Sequence, residues 1–162
     1  SLLRKKEAAS PLADLAGGTF QVLIPEVEKL AAKKVKRVVF CSGKVYYDIV
    51  AERAKRGIED IAVERLEQLY PFPHDEFQAR IDAYPNAKSV VWAQEEPGNQ
   101  GAWHRIQHYL QRHMRDDQSL SYAGRPSSAS PAVGYMQLHA EQQKALVEAA
   151  LGGDAASSKQ AA

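Results

Sequence analysis

The chain is short of the residues that mark several familiar protein classes. It has a single cysteine, Cys41, so no internal disulfide can form; a bridge-stapled secreted scaffold is excluded and a reducing compartment fits. No run approaches the ~20 apolar residues of a membrane span. Neither charge sign dominates: 21 Lys and Arg against 20 Asp and Glu give a formal net charge of +1, which argues against a general nucleic-acid binder. The opening Ser1-Leu2-Leu3-Arg4-Lys5-Lys6 is basic but lacks the apolar stretch of a signal peptide. It also lacks an initiating Met, which leads us to expect a fragment or a processed product. No P-loop spacing, no HExxH motif and no internal repeat is present.

What is present suits one globular domain. Apolar residues make up 44% and charged residues 25% of 162 positions, enough for a substantial core. Residues 1–33 read as an arm or linker from a preceding domain. Ser10–Ala16 could form one helical turn that Gly17-Gly18 stops, and Thr19–Ile24 a short strand that Pro25 ends. Residues 34–152 read as an α/β domain, and residues 153–162, poor in apolar side chains, as a disordered tail.

Within the domain, apolar runs predict strands at Arg37–Cys41, Ile61–Leu66, Ser89–Ala93 and Leu120–Ala123. Spacings of three and four predict helices near Val45–Arg56, from His74 or Asp75 to Tyr84, Gln100–Met114 and Leu138–Leu151. Their expected inward faces are Tyr46, Ile49, Val50 and Ala54; Phe77, Ile81 and Tyr84; Trp103, Ile106 and Leu110; and Ala145, Leu146 and Ala149. Strand-helix alternation with short links predicts a three-layer sandwich, a mostly parallel sheet of about five strands with helices on both faces. Right-handed crossovers then align the turns at 42–44, 68–73, 94–99 and 124–126 along one sheet edge, where ligands are sought.

The most distinctive stretch is Gln94-Glu95-Glu96-Pro97-Gly98-Asn99-Gln100-Gly101. Gly98 and Gly101 allow a sharp turn, and at least one of them should have positive φ or lie against neighbouring backbone. Asn99 is a natural helix N-cap, and Glu95 and Glu96 fall at a strand's carboxyl end. Ser42-Gly43-Lys44, between a strand and a helix, reads either as an anion cradle or as a plain helix cap. Arg125, beside Gly124, could grip a carboxylate or phosphate. Lys33, Lys34, Lys36 and Arg37 form a basic cluster, a solvated face unless an acidic group meets it. His104 and His108 share a helix face at i, i+4, but without further ligands a solvated face is the better reading than a metal site. Cys41, ending an apolar strand, reads as a buried, inert thiol rather than a nucleophile.

Five strings carry a resemblance: SLLR at 1–4, VVFCSGKVYYD at 38–48, VERLEQLYPFP at 63–73, WAQEEPGNQGAW at 92–103 and HAEQQ at 139–143. In that order they resemble the C-terminal, transketolase C-terminal-like domain of the E1 component of 2-oxoglutarate dehydrogenase. The resemblance implies a thiamine-dependent enzyme that decarboxylates 2-oxoglutarate and passes succinyl to the lipoyl group of E2 in the tricarboxylic acid cycle. It implies an E1 homodimer, a dihydrolipoyl succinyltransferase partner, and a cytoplasmic location in bacteria or the mitochondrial matrix in eukaryotes. Some relatives bind a regulatory acyl-CoA or nucleotide on this domain, which makes Lys34, Arg37, Ser42, Lys44 and Arg125 the candidate contacts. Family members often carry a polar or basic residue after the arginine matching Arg125; Pro126 stands there here, so a two-arginine clamp is not expected.

The resemblance also implies that catalytic residues and the thiamine diphosphate and Mg²⁺ ligands belong to larger domains, since no stretch resembles the thiamine-binding GDG motif. A free-standing regulatory module is the alternative, and the intact mass of the native protein separates the two. The chain by itself is expected to be inactive. Calorimetric titration with thiamine diphosphate and Mg²⁺ should give no saturable heat; micromolar binding would overturn this expectation.

Overall fold

In the computed structural model, which describes residues 2–153, five strands form one sheet in the order β1-β3-β2-β4-β5. These are β1 (Leu23–Ile24), β2 (Arg37–Cys41), β3 (Ile61–Leu66), β4 (Ser89–Pro97) and β5 (Ser119–Arg125). Strands β2 to β5 are mutually parallel, and only the two-residue β1 runs antiparallel, along the outer edge of β3. The α-helices are α1 (Leu12–Gly17), α2 (Val45–Lys55), α3 (His74–Ala83), α4 (Trp103–His113) and α5 (Met136–Ala150). The expected tail falls almost wholly on residues 154–162, outside the described residues.

Alternation along the strands divides the core into two layers. Val38, Phe40, Val90 and Trp92 face α3 and α4, where Phe77, Ile81, Ile106 and Leu110 are buried. Val39, Cys41, Val63, Val91 and Ala123 face α2 and α5, where Val45, Ile49, Leu146 and Val147 are buried. Apolar side chains on both faces explain why the strands read as continuous apolar runs. Burial also pushes the Cys41 thiol well above its ordinary pKa, so it stays protonated and unreactive, as an inert buried cysteine should.

Two helix faces differ from the periodicity. On α2, Ala54 is exposed and Arg53 is buried instead. On α5, Ala145 is exposed and Val147 and Ala150 turn inward with Leu146. Apolarity marks small alanines poorly, because they are accommodated on either face.

The burial of Arg53 has a specific cause, found in the arm. Strand β1 pairs Leu23 with Leu66 and Ile24 with Arg65, then stops before Pro25. In the same register the next outward N–H of β3, that of Val63, falls opposite residue 26. The Glu26 carboxylate accepts from it at 2.7 Å, in place of the missing strand backbone. The same carboxylate is paired with the Arg53 guanidinium, which also donates to the Ile61 carbonyl at 2.9 Å. The two side chains are only 3% and 5% exposed, so the pair is fully desolvated and each charge needs the other. The segment around Leu23–Glu26 is therefore integral to the sheet, while residues 11–20 are exposed along their whole length.

A second buried carboxylate, Glu64, is held on the opposite face. Arg80 of α3 approaches both oxygens, at 2.9 and 3.0 Å, and the Tyr84 hydroxyl donates at 2.7 Å. This clasp ties α3 to the middle of β3.

Glu26→Ala should lower unfolding free energy by about 3 kcal/mol or more, because it strands Arg53 and the Val63 N–H in a dry site. Urea denaturation checks this. A loss no larger than that of a surface substitution would show that the pair is solvated.

Candidate functional site

The turns after the strands do gather at one sheet edge, and the densest polar cluster there is built on β4. This strand runs on to Pro97, so Glu95 and Glu96 belong to the strand and not to the turn expected after Ala93. The extension is possible because the register against β5 shifts: Ala93 pairs with Ala123, but the next pair is Pro97 with Arg125. The irregular segment drops the Gln94 side chain into the interior, 3% exposed.

Gln94 organises the turn. Its Oε1 accepts from the Trp92 indole at 2.9 Å and from the Trp103 backbone N–H at 3.0 Å. Its Nε2 donates to the carbonyls of Gln100 at 2.8 Å, Glu96 at 3.2 Å and Pro97 at 3.3 Å. One of the unpaired N–H groups at the start of α4 is thus satisfied from the preceding strand. The Asn99 cap does not form: α4 begins at Trp103 rather than Gln100, and the residue before it is Ala102. Asn99 instead exchanges two 3.0 Å hydrogen bonds with the Ser128 backbone, and Gln100 adds a third at 3.0 Å. The turn therefore clamps the loop after β5. Gly101 is the left-handed glycine, with φ of 67°; a Cβ there would stand 2.9 Å from Gln94 Nε2. Gly98 has no positive φ but donates its N–H to the Arg125 carbonyl at 3.0 Å.

The candidate cations are divided between two edges. Lys44 reaches Glu95 in an ion pair on the β4 side. Ser42 is half-buried, Gly43 has φ of 70°, and α2 starts with no side-chain cap, so neither Ser42 nor Lys44 caps it. Arg125, 5% exposed, lies under α5: it approaches the His139 ring at 3.1 and 3.4 Å and donates to Gln143 Oε1 at 3.1 Å. Gln143 in turn donates to Asp48 at 3.0 Å, linking α5 to α2. Strand β4 separates β2 from β5, so Lys44 and Arg125 share an edge without being neighbours.

Arg37 and Lys34 lie at the other edge. Arg37 donates to the Ala149 and Ala150 carbonyls at 3.3 Å each, at the C-terminus of α5, whose dipole favours a cation. Burial lowers its pKa from the ordinary arginine value, against the pull of Asp60. Lys34 is exposed in a short 3-10 turn, Ala32–Lys34, beside a groove of about 920 Å³ that Lys33, Lys36 and Lys88 line together with Glu59, Asp60 and Asp117, Lys36 being paired with Asp60 at 3.1 Å.

Sequence reasoning missed a histidine pair between α3 and α4. His74 Nδ1 and His113 Nε2 are 2.8 Å apart, and His113 Nδ1 is 2.9 Å from Gln78 Oε1. Burial, with His74 and Arg112 nearby, lowers the His113 pKa below its ordinary value, against the pull of Asp75. No sequence spacing signals this pair, which is 39 residues apart. His104 and His108 are both exposed. Gln94 did carry a signal: a polar residue continuing an apolar strand.

Fold and edge together define a parallel α/β domain whose strand-end turns are bound chiefly to one another. The chain belongs to the family described as 2-oxoglutarate dehydrogenase C-terminal, whose model matches residues 9–151. Over 150 residues it is 62% identical to a 2-oxoglutarate dehydrogenase E1 component of Cupriavidus necator, and it is 54% identical over 153 residues to one of Coxiella burnetii. Another, from Haemophilus influenzae, is 52% identical over 151 residues. Each match covers 93% of this chain but 16% of the relative, so the chain spans about one sixth of their length.

Gly101→Ala should cost about 1 kcal/mol or more, because the side chain meets both a left-handed backbone and Gln94. Gln94→Leu should cost more, since it leaves the Trp103 N–H and the Gln100 carbonyl without their partner. Melting temperatures test both; an unchanged Gly101→Ala protein would refute the close-packed turn.

Proposed function

We propose that this chain is the C-terminal domain of a thiamine-dependent 2-oxoglutarate dehydrogenase E1, working inside a polypeptide several times longer. That enzyme decarboxylates 2-oxoglutarate and hands succinyl to the lipoyl group of E2. The family match over residues 9–151 carries this reading. The thiamine diphosphate and Mg²⁺ ligands are assigned to the rest of that longer polypeptide, and no catalytic step is assigned to the residues here.

The domain's own role is structural. Arg37, Lys44 and Arg125 are each engaged with groups of this same chain, which supports shape and packing as their work. The arm supplies a contact surface: Leu12, Leu15 and Phe20 are 80%, 76% and 70% exposed. We assign that apolar face to the domain preceding this one, in the same subunit or its dimer partner. For an acidic effector such as an acyl-CoA or a nucleotide, the exposed Lys34 groove is better suited than Arg125, which is already covered by α5.

The intact protein, with thiamine diphosphate and Mg²⁺, should reduce ferricyanide with 2-oxoglutarate and far less with pyruvate. Arg125→Gln should lower its melting temperature and leave the kcat of the folded enzyme unchanged. A preference for pyruvate would overturn the substrate assignment. A collapse of kcat in folded Arg125→Gln protein would overturn the structural role.

A further inference from the structure

The geometry points to a divalent transition-metal site formed by His74 and His113, joining the start of α3 to the end of α4. His74 Nδ1 and His113 Nε2 face each other at 2.8 Å. Neutral imidazole carries one N–H and one lone pair, and a hydrogen bond at one nitrogen decides where the lone pair lies. The His113 Nδ1–H donates to Gln78 Oε1 at 2.9 Å, so its lone pair is on Nε2 and is directed at His74. Without metal, the His74 Nδ1–H donates to that lone pair. Metal binding requires the His74 proton to move from Nδ1 to Nε2, with no net proton released, so that Nδ1 presents a lone pair to the ion.

The supporting groups resemble those of ligating histidines, whose second nitrogen commonly donates to a carbonyl or carboxylate that fixes the ring. Gln78 does this for His113, and Gln78 Nε2 itself donates to Asp82 at 3.1 Å. The rings are held by aromatic neighbours. Phe72 and Tyr109 lie 5.1 and 5.3 Å from His74, and Phe77 lies 5.8 Å from His113. The pair is part-buried, so solvent can complete the coordination.

The separation indicates which ions suit the site. Two metal-nitrogen bonds of about 2.0 Å at a right angle put the nitrogens about 2.8 Å apart, whereas a tetrahedral angle needs about 3.3 Å. The 2.8 Å is set by the hydrogen bond of the metal-free pair, and a square-planar or octahedral ion, Cu²⁺ or Ni²⁺, would require it to change less than tetrahedral Zn²⁺ would. Two protein ligands make the site exchangeable and not a structural metal centre. His104 and His108, exposed one turn apart on α4, are the competing pair and provide the control.

The test is Ni²⁺ titration of the metal-free chain by calorimetry, with amide NMR of the wild type to locate the ion. We expect one-to-one binding in the micromolar range, with paramagnetic broadening centred on residues 74, 78 and 113. His74→Ala should weaken binding by about tenfold or more, and the double variant His104→Ala/His108→Ala should leave it unchanged. Ni²⁺ should also raise the melting temperature of the wild type but not of His74→Ala. The wild-type broadening map needs no variant, so a misfolded His74→Ala protein does not leave the question open. Absence of one-to-one binding, or broadening centred on residues 104 and 108, overturns the proposal.

Discussion

The strand-end edge depends on one carboxamide. Gln94 cannot be solvated, so all its hydrogen-bonding capacity must be met inside the protein, and the turn supplies the partners. Five contacts from one side chain fix Trp92, the end of β4, the turn and the first residue of α4 in one arrangement. Gly101 has to be a glycine because the amide nitrogen occupies the space that a Cβ would need. Through Asn99 and Gln100 the same turn holds the loop that leads to α5, and α5 covers Arg125. A shift in the β4 register would therefore be felt across three elements.

The charged side chains obey a different rule, set by burial. Glu26, Arg53 and Glu64 are nearly or wholly dry, and each is matched to an opposite charge and to further hydrogen bonds. Pairs of this kind are weak sources of net stability but costly to break, so they favour one arrangement over its alternatives. Lys44 with Glu95 is more open to water and contributes less. Arg125 is unusual in being buried without a carboxylate: His139 and Gln143 receive it, and its Nε finds no partner among the described residues.

The layer architecture was legible because it follows from local pattern. Continuous apolar strands, helices spaced at three and four and short links allow few arrangements, and the family strings agree with it. Side-chain partnerships were less legible. Gln94, Glu26 with Arg53, and His74 with His113 meet through register and helix crossing, which no window of sequence contains. Arg37 shows the difference well: its position in the sequence suggested a ligand contact, but the strand order brings the end of α5 over it. Asn99 had the chemistry of a cap, yet Gln94 reached the Trp103 N–H from the strand and left Asn99 for Ser128.

The edge of β3 is completed by two strand residues, a proline and a carboxylate in place of a full strand. That economy sets where the chain tolerates change in length. An insertion within residues 11–20 shifts only exposed positions of that stretch, whereas one residue added between Leu23 and Glu26 would move the carboxylate off both Val63 and Arg53. The register of the sheet therefore extends into a segment that composition alone assigns to a linker. A polypeptide started at residue 34 would keep every helix from α2 to α5 yet lose the counter-charge of a guanidinium buried in its own body.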